Sequence, residues 1–309
     1  MTDKLINLQS GIPVILITGC NGQVGWELQR SASHLGKVVA MDRQGMDLSD
    51  NENIRAVIRD IKPDVIINAA AYTAVDKAEE ESELAYQINS VAPGVMAEEA
   101  SSLGALLVHY STDYVFNGAS SKPYSETDKP DPQNIYGASK LAGELAIQES
   151  GCDYLIFRTS WVFASRGQNF LLSMLRLASE RKELSIVSDQ TGAPTSARLI
   201  ADVTSNVVWQ ALNERNNKRF KSDLFHLVSS GSTSWHGFAE EIFQTVRSGI
   251  INRELVIKDV LPIKTEDYPT PATRPIFSHL QTDKLAKAYS IYLPEWSVQV
   301  GLCLRELND

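Results

Sequence analysis

Tyr136 and Lys140 stand four residues apart in Tyr136-Gly137-Ala138-Ser139-Lys140. A helix puts positions i and i+4 on one face, one turn apart. A phenol and an amine so placed can manage a single proton. A free phenol keeps its proton up to a pKa of about 10, and proton donation to a developing alkoxide works best when that value falls toward ambient pH. A neighbouring ammonium stabilises phenolate, so Lys140 is expected to lower the Tyr136 pKa. Ser111-Thr112-Asp113 follows the apolar run Leu106 to Tyr110, which reads as a strand. The C-terminal ends of parallel strands are where open α/β sheets bind ligands. There a Thr112 hydroxyl can fix a carbonyl oxygen and the phenol together. Tyr136, Lys140 and Thr112 are the candidate catalytic residues.

Carbonyl reduction also needs a hydride donor, and Gly19-Cys20-Asn21-Gly22-Gln23-Val24-Gly25 is built to hold one. Gly19 permits a tight turn, Gly22 lets a pyrophosphate approach the backbone, and Gly25 lets helix and strand pack closely. The following helix offers free N–H groups and partial positive charge. Gly19, Asn21, Gly22, Gln23 and Val24 are therefore candidate contacts to a nicotinamide dinucleotide. An oxidised nicotinamide, being positive, would favour phenolate as well. Asp42 ends the second strand, at the offset where a carboxylate binds adenosine ribose hydroxyls, which favours NADH. Its neighbour Arg43 is suited to a 2′-phosphate, which favours NADPH, and the two readings stay open. Asp47 and Leu48 are placed to flank adenine. The small side chains of Ala69-Ala70-Ala71 let a cofactor lie against the backbone.

These residues need a frame. Val14–Ile17, Val38–Met41, Val65–Ile67, Leu106–Tyr110 and Tyr154–Phe157 read as strands alternating with helices from about Gln23, over Glu83–Leu103 with a kink or break at Pro93, and over Tyr136–Gln148. That alternation predicts an α/β fold, a Rossmann-like doubly wound parallel sheet. The Pro-, Ser- and Asp-rich Ser120–Pro132 is a surface loop able to border a site. After Trp161, helices at Phe170–Ala178 and Leu199–Leu212 mix with short strands and proline turns. This reads as sheet-completing elements plus a smaller C-terminal substrate-binding lobe. The resulting division is an N-terminal extension (1–12), a dinucleotide-binding domain (13–165) and the remainder (166–309). Asn213–Lys221 reads as a solvated loop, Glu79-Glu80-Glu81 as a solvated helix start, and His109 and His226 as core histidines on buried strands.

Together, Gly19-x-x-Gly22-x-x-Gly25, Ser111-Thr112-Asp113-Tyr114-Val115-Phe116 and Tyr136-Gly137-x-Ser139-Lys140 resemble the extended short-chain dehydrogenase/reductases. More narrowly the chain is similar to the dTDP-4-dehydrorhamnose reductase family. The strings that carry this are Gly22 to Leu28, Asn68 to Glu79, Phe157-Arg158-Thr159-Ser160-Trp161-Val162, Asp189-Gln190-x-Gly192-x-Pro194-Thr195 and Tyr268-Pro269-Thr270-Pro271-x-x-Arg274-Pro275. They run in order from about residue 14 to the C-terminus. The resemblance implies reduction of the 4-keto group of dTDP-4-dehydro-6-deoxy-L-mannose by NADPH or NADH, giving dTDP-L-rhamnose. Tyr136 would supply the proton, Lys140 would hold the nicotinamide ribose, and Thr112 would orient the keto oxygen. Asp113 and Trp161 match sugar-nucleotide contacts, and Ala71, Tyr72 and Thr73 match a cofactor-contacting stretch. Arg274 is expected to bind the substrate pyrophosphate or to brace the lobe.

Related functions are weighed on the same residues. Dehydratases of the superfamily carry Asp-Glu after the catalytic Thr, whereas Tyr114 follows Asp113 here. An epimerase shares the core triad but not the 189–195 and 268–275 strings. A regulatory subunit resembling that of methionine adenosyltransferase would not need the complete Thr112, Tyr136 and Lys140 set. Some members of the family dimerise through a carboxylate-held metal such as Mg2+. Arg198 is a poor metal ligand, so no metal is expected here. The chain has 309 residues, 43% hydrophobic and 22% charged, with a net charge of −9. That balance argues against a nucleic-acid surface. Three cysteines without metal spacing and the absence of any long apolar stretch lead us to expect a cytoplasmic protein off the membrane, a monomer or homodimer.

Overall fold

A computed structural model describes residues 11–308, so nearly all of the expected extension 1–12 lies outside the described residues. Six strands form one parallel sheet: β1 (Val14–Thr18), β2 (Lys37–Met41), β3 (Val65–Asn68), β4 (Leu106–Thr112), β5 (Asp153–Thr159) and β6 (Asp223–His226), in spatial order β2-β1-β3-β4-β5-β6. β3 and β4 are buried along their whole length, as strands covered on both faces must be. Successive side chains point to opposite faces. Ile15, Ile17, Val65 and Val108 meet helices α1 (Gln23–Ser31) and, much later in the chain, Ala197–Asn216. Leu16, Ile66, Leu107 and Ile156 meet α2 (Asn51–Ile61) and α3 (Ala92–Leu103) on the other face. This is the Rossmann-like doubly wound arrangement. Strand order reverses between β1 and β3, and their C-terminal ends deliver Gly19 and Asn68 to the crevice where such sheets bind ligands.

The expected helix Glu83–Leu103 is helical throughout but changes pitch. Ser82–Tyr86 is α-helical, Gln87–Val91 widens into a π-turn in which Ala92 N–H reaches Gln87 C=O, and α3 resumes at Ala92. Pro93, lacking an N–H, sits in the first turn of the resumed helix, where none is needed. Next come α4 (Ile135–Glu149), α5 (Phe170–Glu180), α6 (Ala197–Asn216), α7 (Trp235–Arg247) and α8 (Trp296–Arg305). α5, α7 and α8 pack Leu171, Leu175, Phe238, Ile242 and Val300 into a separate core. Parallel strands Glu183–Val187 and Asp259–Ile263 border it. The chain leaves the sheet after β5, returns for α6 and β6, and leaves again.

Two local readings need correction. The polar run from Asn213 begins inside α6, which continues to Asn216; the loop starts only at Asn217, where the N–H closes onto Asn213 C=O. Glu79-Glu80-Glu81 is not merely a solvated helix start. It lies between two short helices, with Glu79 accepting from Ile135 N–H and Glu81 accepting from the Tyr72 hydroxyl at 2.6 Å.

Candidate active site

The Tyr136–Lys140 helix is held by its cap, by two residues of its own motif and by a glycine beyond it. Asn134 caps α4 by accepting from Gly137 N–H at 2.8 Å, and its amide donates to Thr273 C=O in the C-terminal lobe. A Cβ on Gly137 would lie 2.2 Å from the Tyr114 carbonyl, so glycine lets α4 rest on the turn Asp113–Val115. Ser139 donates to Tyr136 C=O and accepts from Asn89. Asn89, inside the π-turn, also accepts from Tyr72 N–H and donates to Tyr72 C=O. One side chain thus ties the Ala71–Thr73 loop to the Tyr136 helix. Gly143 completes the fit, because a Cβ there would meet Asn89 C=O at 2.1 Å. Nothing in the sequence singled out Asn89; the only signal was the awkward proline four residues on.

Thr112 ends β4 and is buried with Asp113. Its hydroxyl donates to Asp113 Oδ1 at 3.0 Å and accepts from Tyr114 N–H, and it stands near enough to the Tyr136 phenol to favour loss of its proton. Tyr114 meets the Tyr136 ring edge-on at 5.8 Å. Asp113 Oδ2 is buried with no partner among the described residues. Burial pushes its carboxyl up to about 6, partly opposed by the Thr112 hydroxyl on Oδ1.

Lys140 contradicts the expectation of a lowered phenol. Burial pushes the amine down to about 7, and it pushes the Tyr136 phenol up to about 12, with only the nearby Thr112 hydroxyl working the other way. An amine that has itself lost the preference for charge cannot hold phenolate. Without ligands Tyr136 is therefore a fully protonated phenol, the form a proton donor needs. His109 is also more than a core histidine: its Nε2 lies 3.1 Å from Lys140 Nζ. His226 does match the core reading, being buried and pushed down to about 3 by burial and by Arg158.

Two clefts that share Gly19, Asp42, Arg43 and Asp47 lie at the C-terminal ends of β1 and β2; neither is lined by Thr112, Tyr136 or Lys140. One, about 780 Å³, is lined by Gly19, Asn21, Gly22, Asp42, Arg43, Gln44 and Asp47. The other, about 460 Å³, is lined by residues including Leu48, Ala71, Tyr72 and Thr73. Gly19 has φ +66°, and a Cβ there would strike Ala70 at 2.8 Å. α1 has no side-chain cap at Gly22, so its first N–H groups are not taken up by a capping side chain. Asp42 takes Gln44 and Gly45 N–H groups and the Asn21 amide. Arg43 is largely exposed and pairs with Asp47 at 3.6 Å. Gln23 and Val24 are placed differently: the Gln23 side chain accepts from Asn169, and Val24 packs into the core under the sheet. Only their backbone is positioned for a ligand at the helix start. The residues thus fit a dinucleotide.

Residues 14–308 match the model of the RmlD substrate binding domain family. A dTDP-4-dehydrorhamnose reductase of Burkholderia thailandensis is 52% identical over 293 residues, covering 95% of this chain and 98% of that protein. One of Escherichia coli is 46% identical over 297 residues, covering 95% and 97%. The chain belongs to the dTDP-4-dehydrorhamnose reductase family. The crystal structure of such a reductase from Bacillus anthracis, in complex with NADP, superposes with a TM-score of 0.85 at 35% identity, over 96% of this chain and 99% of that one.

The reductase family's other motifs now have physical reasons. Trp161, with φ +45°, stacks on Trp235 at 3.6 Å, and a Cβ on Gly192 would strike its indole at 2.5 Å. Gln190 accepts from Trp235 Nε1 and donates to Thr265, whose N–H and hydroxyl bind Asp189. Trp235 and Thr265 escaped the sequence reading because their partners lie far away in the chain. Trp235 and Arg274 line a third cleft of about 680 Å³. Arg274 makes a bidentate pair with Asp76, at 3.0 and 2.7 Å, which favours the bracing role. Some family members bridge subunits with a metal, but the residues here do not fit one. The Arg198 guanidinium lies 3.3 Å from Glu27 and 2.5 Å from Glu306, supplying the positive charge between the two carboxylates. Among the described residues no three His, Cys, Asp or Glu side chains converge, and no helix is long and apolar enough to cross a membrane.

Proposed function

We infer that this chain reduces the 4-keto group of dTDP-4-dehydro-6-deoxy-L-mannose (dTDP-4-dehydrorhamnose) to dTDP-L-rhamnose, a step that supplies cell-surface polysaccharide synthesis. The observation that carries the chemistry is that Thr112, at the C-terminal end of β4, stands by Tyr136 on a helix that also carries Lys140 one turn on, in a sheet whose first strand ends in a glycine turn open to a dinucleotide. NADPH or NADH, when bound, supplies the hydride. Gly19, Asn21 and Gly22 hold the pyrophosphate against the start of α1, Asp42 and Arg43 meet the adenosine ribose, and Ala71, Tyr72 and Thr73 line the nicotinamide half.

Tyr136 donates the proton to the oxygen of the former ketone, and Thr112 aligns that oxygen with the phenol. Lys140 holds the nicotinamide ribose. The free oxygen of Asp113 accepts from a sugar hydroxyl. The third cleft takes the nucleoside diphosphate, with Trp235, backed by Trp161, giving it a flat apolar wall and Arg274 bracing its rim through Asp76. We place the protein in the cytoplasm, as a monomer or homodimer, consistent with three free buried cysteines.

Coenzyme oxidation on mixing the protein with the 4-keto sugar nucleotide, followed by identification of dTDP-L-rhamnose, tests the reading. A flat coenzyme signal with protein that still binds NADPH would overturn it and leave a non-catalytic binding role.

A further inference from the structure

Thr18, Asn68 and His109 are register partners on the adjacent strands β1, β3 and β4. All three are buried, and they form a polar row across the sheet in a layer that is otherwise apolar. Thr18 donates to Asn68 Oδ1 at 2.7 Å, Asn68 Nδ2 lies 3.1 Å from His109 Nδ1, and His109 Nε2 lies 3.1 Å from Lys140 Nζ. The orientation of the Asn68 amide is fixed by a donor that cannot reverse: Ala70 N–H reaches Asn68 Oδ1 at 3.2 Å. Turning the amide over would place two donors face to face. Asn68 therefore offers an N–H to His109 Nδ1, which must accept. A neutral imidazole that accepts at Nδ1 carries its proton on Nε2. Burial and the nearness of Lys140 hold His109 well below its ordinary pKa, so the ring stays neutral.

We propose that His109 is a positioning residue, locked by Asn68 as the Nε2–H tautomer, which holds Lys140 as an amine accepting from that N–H before coenzyme arrives. An ammonium in this position would set N–H against N–H. An amine accepts from His109 and keeps its two own N–H groups for the cleft. The other charged and titratable groups around Lys140 do not reverse this. Glu144, one turn along α4, is neutralised by Arg158 of β5 through bonds of 2.8 and 2.6 Å. Tyr136, one turn back, is a phenol, and Asp113 is engaged by Thr112. The row also begins at the coenzyme turn, since Ala70 is the residue that Gly19 skirts. The use of those N–H groups on a ribose rests on the function proposed above; the tautomer does not.

The test is a long-range proton–nitrogen NMR spectrum of coenzyme-free protein labelled with 15N-histidine. The signal of His109, one of five histidines, is assigned by its loss in His109→Phe. The expected result is an Nε2-protonated ring that does not titrate between about pH 6 and 8. An Nδ1-protonated or titrating ring would overturn the proposal. Asn68→Asp offers Nδ1 an acceptor in place of a donor and should turn Nε2 into an acceptor. The midpoint for the pH dependence of NADPH affinity should then rise by about one unit, a tenfold change in proton affinity. Weaker binding with an unmoved midpoint would show a merely structural row. Should Asn68→Asp fail to fold, the wild-type spectrum alone decides.

Discussion

The two ends of the coenzyme crevice are built on opposite principles. At the chemical end Thr112, Asp113, His109 and Lys140 are buried, and His109 and Lys140 hold each other across strand and helix. At the adenosine end Asp42, Arg43 and Asp47 stand in solvent and hold mostly one another and their own turn. Electrostatics in the buried group act in low dielectric, so one misplaced proton or methyl group matters there. At the rim, water screens every charge, and a substitution changes preference without touching the chemistry. Chemistry is preorganised where solvent is excluded, and coenzyme choice is left to the rim.

The largest effect is expected from removing the proton donor. Tyr136→Phe should lower turnover by about 10²- to 10⁴-fold, while NADPH binding, followed by fluorescence, changes little. A variant with near-normal rate would take the phenol out of the mechanism and erase the contrast between the two ends. Gly137→Ala comes next, because its Cβ would meet the Tyr114 carbonyl at 2.2 Å. Forcing the helix off the turn should cost about 1–3 kcal/mol, seen as a lower Tm, and should slow turnover by moving Tyr136 away from Thr112. Unchanged Tm and rate would mean that α4 is not seated where its glycine puts it.

Asp113 gives the buried end a pH signature. Its carboxyl is held near 6 when folded, above its ordinary 3.8. The folded state therefore binds more protons than the unfolded chain between those values, and the protein loses stability as pH rises through that window. Asp113→Asn keeps the shape without the charge. Its Tm should exceed that of the wild type at pH 8, with the gap closing toward pH 4. A variant less stable at pH 8 would show that the carboxylate is stabilised by contacts rather than strained by burial. The same substitution should raise KM for the sugar nucleotide.

How much of this was legible in the sequence follows the same division. Spacing within one element carried Tyr136, Lys140, the glycine turn and the strand–helix alternation, because each depends on neighbours a few residues away. What failed was whatever depends on depth or on register between strands. The phenol shift had the wrong sign because a string of letters shows an amine beside a phenol but not how far both lie from water. His109 was placed correctly in the core, but its partners, Asn68 and Lys140, could not be named because they reach it only after strands align and a helix docks. Arg274 and Asp76 lie 198 positions apart, and no local pattern joins them.

The smallest expected effect sharpens the comparison from the rim side. Asp42 is committed to capping its own turn, through Gln44 and Gly45 N–H groups, and that leaves one oxygen shared with the Asn21 amide. Arg43 has only a loose contact with Asp47, and its side chain is 78% exposed. A 2′-phosphate would find Arg43 ready, while a ribose hydroxyl pair would compete with Asn21 for Asp42. Arg43→Ala should therefore weaken NADPH binding by about two- to fivefold, the worth of a screened ion pair, and leave NADH binding unaltered. The difference should shrink as salt is added, because the interaction lies in solvent. Equal losses for the two coenzymes, or a loss that salt does not touch, would mean that Arg43 acts through the turn and that the rim is as preorganised as the buried end.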